Sequence, residues 1–311
     1  MPGKPIDTVC ILCTARDLWL ARISAASVRY WSPDVPILLV KDPVHGPFDT
    51  TEIERASGAT SIETLARPCG WGFGKIELLF RFPGRRLFLL DADTVLCGDV
   101  VAALNGEGAD FVVSEEQIDK ARFEELQRYY FQFDAMRALD PGFTRPRFLF
   151  TAGHIVGTSG VLSKEDFDPW LRWTSPIEHR YPDVFIAGDQ GVLNYVLGRA
   201  EREGRATVAT RHFAILAATP EVSRVDLEKI RRRTSEPFLV HYNGPKPPLL
   251  VQYPRHELLA FFERLHYARV PGGRWIRAGR LAATLGAAAA RFLRSHRPIA
   301  SRSARASASP G

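Results

Sequence analysis

The chain of 311 residues contains no uncharged apolar run of about 18 residues, the length a membrane-spanning helix needs. Its first apolar stretch starts only after Asp7 and is too short for a secretory signal, so it reads as a strand. Cysteine is scarce: Cys10, Cys13, Cys69 and Cys97. Cys10 and Cys13 have CxxC spacing, but they sit in an apolar run and no second pair follows. Small buried thiols in a reducing cytoplasm are therefore expected rather than a zinc or redox site. No glycine-rich loop follows the first strand; the segment there is "CTARDLWLA". That absence argues against a dinucleotide fingerprint. The glycines of "GWGFGKIELL" do not make a phosphate loop either, because Cys69 stands at the first glycine of that pattern and Ile76 at its Ser/Thr. Acidic residues are missing from Gly272 onward, where eight arginines occur. Against a net charge of +6, this leaves residues 1–271 at −2. The basic character belongs to the tail, and with no nucleic-acid motif present a nucleic-acid partner is not expected.

What is present suits a globular chain of one large or two small domains, at 45% hydrophobic and 24% charged residues. Short apolar runs at 8–15, 35–42, 86–93 and 109–116 read as strands. Segments at 18–31, 53–59, 76–82 and 100–105 have helical spacing and alternate with them. This alternation predicts an α/β fold with a mainly parallel central sheet flanked by helices. The middle is less regular: a helix is expected over 123–139, a strand over 154–162, a helix over 165–173 and another within 187–200. The aromatic residues of 123–139 read as core packing before they read as a binding platform. A strand opens 238–248, and 256–270 is helical. Beyond 271 the composition turns to Ala and Arg, predicting a basic amphipathic helix and a disordered end. The expected division is a catalytic domain over 1–271 and the tail over 272–311.

Five features carry chemistry. Asp91-Ala92-Asp93 closes the strand "RLFLLDAD", and two carboxylates so placed can share one hard divalent cation. In open α/β sheets, ligands bind beyond the carboxyl ends of the strands. His241 in "LVHYNG" also ends an apolar run and offers a nitrogen ligand. Lys246, on a proline-stiffened loop, can neutralise a diphosphate. Asp189-Gln190 in "AGDQGVLN" stands where a helix starts, and reads either as a cap or as a polar pair facing substrate. Lys75 follows three alternating glycines.

Taken in order, "ILCTARD", "GKIELL", "FLLDADTVL", "TSGVL", "GDQGVLN" and "VHYNGPKPP" resemble glycosyltransferase family 8, the glycogenin-like and bacterial lipopolysaccharide galactosyl- and glucosyltransferase group with a GT-A fold. The resemblance spans roughly 8 to 250. It implies a metal-dependent hexosyltransferase that takes a nucleotide-sugar donor, usually a UDP-sugar, uses Mn²⁺ or Mg²⁺ and retains anomeric configuration. By match, Asp91, Asp93 and His241 hold the metal, and Asp189 and Gln190 lie beside the reacting carbon. Thr14, Ala15, Asp17, Lys75, Asp91, Ser159, Gly160, Gly244 and Lys246 line the donor site. The chain departs from the family at Leu18, where a tyrosine is usual, at Thr158 in "TSG" for "NSG", and in the loop of Lys246, one residue short and with Pro248 for tryptophan. The implied acceptor is a glycan or glycolipid and the implied location cytoplasmic. The enzyme rival is a sugar-nucleotide nucleotidyltransferase, which usually carries a glycine-rich loop directly after the first strand where this chain has none, and the rival outside enzymology is a catalytically silent nucleotide-sugar-binding scaffold. For the tail three readings stay open: contact with the inner face of an anionic membrane through 272–297, a solvated Ala/Arg extension, or a helix packed on the catalytic domain.

Overall fold

Residues Leu87 to Leu90 are buried on both faces, as a continuous apolar run in the middle of a covered sheet must be. Around them the computed structural model describes residues 3–70, 72–115, 127–186 and 188–295, of which 115 and 288–295 as backbone only. In chain order its strands are β1 (Thr8–Cys13), β2 (Ile37–Lys41), β3 (Thr60–Glu63), β4 (Arg86–Asp91), β5 (Thr94–Leu96), β6 (Phe111–Glu115), β7 (Phe150–Thr158), β8 (Leu171–Arg172), β9 (Glu178–His179), β10 (Val208–Arg211), β11 (Ala214–Leu216) and β12 (Leu239–His241). The main sheet has the order β10-β6-β7-β4-β1-β2-β3. β7 runs against both neighbours, and every other pairing in this sheet is parallel. The mainly parallel sheet read from the sequence is present.

Two apolar layers sandwich the sheet, and the pleat sorts residues between them. Val9, Ile11, Cys13, Phe88 and Leu90 face the layer that holds helices Leu18–Trp31 and His256–Ala268. Cys10, Leu12, Leu87 and Leu89 face the layer of helices Gly74–Arg81 and Gln190–Arg202. Cys10 and Cys13 therefore point to opposite faces, as an offset of three in a strand requires. All four cysteines are buried free thiols.

A smaller sheet, β11-β12-β5, grows from the end of β4. Chain reversal after Asp91 turns β5 antiparallel to β12, with His241 opposite Thr94. This sheet fixes the site, because it brings a segment 150 residues downstream against the end of β4.

The expected helix over 123–139 is instead a turn at Gln127–Tyr129 and a helix at Phe133–Leu139; residues 123–126 lie outside the described residues. Its aromatics are core: Tyr130, Phe131 and Phe133 are fully buried, while Tyr129 is exposed. The expected helix over 165–173 shortens to Lys164–Phe167. The tail forms the helix Gly273–Ser295. Arg277 donates to Glu263 (2.7 Å), and Arg280 makes two parallel bonds to Glu52 (2.8 and 2.7 Å). The helix thus packs on the body by its arginine side, while Trp275 (83% exposed), Leu281 and Leu285 face outward. The end expected to be disordered, from 296, lies outside the described residues. No described helix is long and apolar enough to cross a membrane.

Candidate active site

Because β4, β1 and β2 are parallel, their C-terminal ends share one edge of the sheet. Leu12 pairs with Asp91 and Cys13 with Lys41, so Thr14, Ala15 and Asp17 emerge beside Asp91-Ala92-Asp93. The backbone locks the turn. Ala92 N donates to Leu12 O (3.1 Å), Thr94 Oγ1 to Asp91 O (2.8 Å) and Tyr242 N to Asp93 O (2.9 Å).

These constraints gather Asp91, Asp93 and His241, whose ligand atoms all lie within 4.8 Å of one another. His241 Nε2 is 3.4 Å from Asp93 Oδ1 and 4.0 Å from Asp91 Oδ2, while its buried Nδ1 has no partner among the described residues. Two carboxylates and an imidazole converging on one point offer a donor set that suits Mn²⁺ or Mg²⁺. Burial alone would raise the Asp93 carboxyl; His241 and Lys246 outweigh it and hold the carboxyl well below its ordinary range. A metal at this point would take over the neutralising role that these cations now fill.

Lys75 is 1% exposed and stands at the start of the helix Gly74–Arg81. Its Nζ is 2.5 Å from Asp91 Oδ1 and 3.2 Å from Asp189 Oδ2. Burial would strip its proton, but the two carboxylates more than offset that and keep it charged. Burial pushes the Asp189 carboxyl up to about 6, with Lys75 pulling down and Asp91 pushing up. Asp189 precedes the helix Gln190–Arg202 without making a side-chain cap bond. Its carboxylate faces Lys75 instead, which removes the cap reading. Gln190 is tied at both ends of its amide: Oε1 accepts from Ala152 N (3.2 Å) and Nε2 donates to Tyr129 O (2.9 Å).

Lys246 Nζ reaches Asp93 Oδ2 (2.5 Å) and also bonds Tyr242 O (2.8 Å) and Gly244 O (3.0 Å). Gly244 takes φ +88°, the turn that folds the loop back over the site. Asp17 Oδ1 accepts from Thr14 N (2.6 Å) and Thr14 Oγ1 (3.1 Å). Burial pushes the Asp17 carboxyl up to about 6; the Thr14 bonds oppose this, and Asp93 and Asp91 add to it.

Ser159 and Gly160 are not brought to this edge. β7 is antiparallel to β4, with Thr158 opposite Arg86 and His154 opposite Leu90, so "TSG" falls at the start of β4. Five residues of strand separate it from Asp91, about 16 Å. Ser159 Oγ donates to Leu78 O (2.7 Å) and accepts from Phe82 N (3.1 Å), and Gly160 N donates to Leu79 O (2.7 Å). These are structural bonds. The triplet on the site side is Thr151-Ala152-Gly153, at the start of the same strand, which the sequence reading missed. A Cβ on Gly153 would stand 2.3 Å from His241 Cε1, so only glycine leaves room for that imidazole. The next residue, His154, lays its ring edge-to-face against His241 at 5.5 Å. Burial, with His241 and Lys75 nearby, holds His154 neutral.

The fold has solved counterparts. Galactosyltransferase LgtC in complex with donor and acceptor sugar analogs aligns with a TM-score of 0.54 at 15% identity, over 84% of this chain and 95% of that one. The bifunctional glycosyltransferase WbbM aligns with 0.54 at 12%, over 89% and 51%. The glycosyltransferase GlyE of Streptococcus pneumoniae TIGR4 aligns with 0.50 at 12%, over 83% and 60%. This chain has a GT-A glycosyltransferase fold. At such identities the likeness concerns the fold alone. No family model matches the chain, and no curated protein matches it.

Proposed function

We propose that the chain is a metal-dependent glycosyltransferase, nearest in kind to family 8, that moves a hexose from a UDP-sugar to a glycan or glycolipid acceptor with retention of configuration. The observation that carries this reading is the convergence of Asp91, Asp93 and His241 at the carboxyl edge of a GT-A sheet, with Lys75, Lys246 and Asp189 around them. Asp91, Asp93 and His241 would hold Mn²⁺ or Mg²⁺, and the cation would supply charge neutralisation for a diphosphate leaving group.

The remaining chemistry belongs to the chain. Breaking the sugar–phosphate bond builds positive character on the anomeric carbon and negative charge on the diphosphate. Lys246, on its hinged loop, meets the diphosphate charge. Asp189, largely ionised at neutral pH with Lys75 beside it, stabilises the developing oxocarbenium ion. Gln190, clamped between Ala152 and Tyr129, positions the sugar rather than moving freely. Thr14, Ala15 and Asp17 line the nucleoside end, and Leu18 replaces the usual stacking ring there. Ser159 and Gly160 have no part in this reading.

Residues 1–271 form the catalytic unit in this account. The helix beyond it contacts an anionic membrane surface with Trp275, Leu281 and Leu285, from the cytoplasmic side. Release of UDP from a panel of UDP-sugars with Mn²⁺, with and without saccharide acceptors, tests the reading. Mn²⁺–UDP binding with no release from any donor favours the silent scaffold instead.

A further inference from the structure

Asp42 follows β2 at the same sheet edge, its N–H donating to Cys13 O (3.0 Å). Its side chain is buried (2% exposed) and makes no ion pair among the described residues. Three backbone N–H groups satisfy it. Oδ1 accepts from Val44 N (3.2 Å) and Cys69 N (3.0 Å), and Oδ2 accepts from Gly70 N (2.6 Å). A second buried carboxylate, Glu77, accepts from Leu65 N (2.6 Å) and Ala66 N (3.0 Å). Two carboxylates thus hold four amides of one loop, which then runs on to the site. At Gly72 (φ +82°) its backbone lies so close to Asp189 that a Cβ would be 2.7 Å from Oδ1. Gly72 O accepts from Lys75 N (2.9 Å) as the helix bearing that lysine begins.

From this chain of contacts we infer that Asp42 is a positioning residue: it fixes the glycine loop that sets Asp189 and Lys75 in place. The inference rests on the transferase reading for its consequence and on the loop geometry for its substance. It also separates two halves of the site. Asp93 and His241 hang on β4, β5 and β12, which the loop does not hold, whereas Lys75 and Asp189 depend on it and Asp91 joins the two halves through its 2.5 Å contact with Lys75.

Asp42→Asn is the test, because it keeps the shape but replaces one acceptor oxygen with an N–H donor that must face a backbone N–H. The assays are UDP release from UDP-galactose and UDP-glucose, Mn²⁺ affinity by electron paramagnetic resonance, and labelling of cysteines and lysines read by mass spectrometry. We expect Cys69 and Lys75 to become reactive while Cys10, Cys13 and Cys97 stay protected. Mn²⁺ should still bind, because Asp93 and His241 keep their places, while turnover falls about a hundredfold, as misplacement by an ångström does. Gly72→Ala, which drives a methyl group into the Asp189 carboxylate, should lower turnover without exposing Cys69. A protected Cys69 in the Asn variant overturns the inference, and so does an exposed Cys69 with wild-type turnover. Exposure of all four cysteines together reduces Asp42 to a general stabiliser and also overturns it. Should the wild type release UDP from no member of the UDP-sugar panel, the transferase reading fails by itself. Labelling of Lys75 then decides the loop's role: reactive only in the variant supports it, protected in both refutes it.

Discussion

Gly153→Ala puts the metal cluster under a defined load. The added Cβ would lie 2.3 Å from His241 Cε1, 2.8 Å from Nε2 and 2.9 Å from Nδ1, where ordinary contact begins at 3.4 Å. The ring must retreat by about 1 Å, whereas metal–ligand distances tolerate about 0.2 Å. Asp91 and Asp93 remain, so binding weakens rather than vanishes. Disturbing the support of a ligand costs about ten- to a hundredfold in affinity, or about 1.4–2.8 kcal/mol. Overpacking also costs about 1–3 kcal/mol of stability, which a control must separate. Gly157→Ala on the same strand supplies it: its Cβ would meet Phe111 and Leu79 at 2.9 and 3.2 Å, at the far end of β4. Mn²⁺ titrations followed by electron paramagnetic resonance should show a weakened Gly153→Ala and a Gly157→Ala with wild-type affinity. Equal Mn²⁺ affinity in Gly153→Ala and wild type would refute the placement of His241 among the ligands.

Asp189→Asn should lower turnover by about a hundredfold, roughly 2.7 kcal/mol, with the chain still folded and able to bind Mn²⁺; since Asp189 makes no cap bond, wild-type turnover would leave it without a role in the reaction. Glu52 should act as the latch of the C-terminal helix. Burial would raise its carboxyl, but Arg280, His266 and Arg22 hold it down to about 2, against an ordinary 4.5. Its contribution is therefore complete above pH 4.5 and fades as the pH falls toward 2. Tryptic cleavage within 273–287 should be fast in Glu52→Gln at pH 7 and slow in wild type, and equal rates would contradict the latch. Removal of 272–311 should abolish binding to vesicles rich in phosphatidylserine at low salt, and a full-length chain that ignores such vesicles would count against the membrane surface.

The part of the site carried by single strands was legible in the sequence. A continuous apolar run ending in Asp91-Ala92-Asp93 reveals both the buried strand and its carboxylates, because burial on both faces and a ligand-binding end leave the same local trace. The helix Leu18–Trp31 has the bounds its spacing implies. His241 was legible as the end of an apolar run, but its place beside Asp91 and Asp93 came only through resemblance, because its partner across the small sheet is a three-residue strand too short to show a period. Ser159 and Gly160 were misassigned for a topological reason. Two glycine triplets, 151–153 and 158–160, bracket one strand, and only its direction says which meets Asp91. Periodicity does not encode direction. Asp42 was hidden differently: an aspartate before a proline reads as a turn residue, and nothing local shows that Cys69 and Gly70 bind it from 27 and 28 residues away.

UDP release from UDP-galactose and UDP-glucose, measured in Mn²⁺ for the wild type and for Asp93→Asn, tests the central claim most directly. The substitution keeps the size of a side chain 3.4 Å from His241 and removes the charge that a hard cation needs. Mn²⁺-dependent release is expected from the wild type and its loss from Asp93→Asn, with circular dichroism showing that the variant is still folded. Wild-type turnover in the Asn variant at saturating Mn²⁺ would contradict the claim.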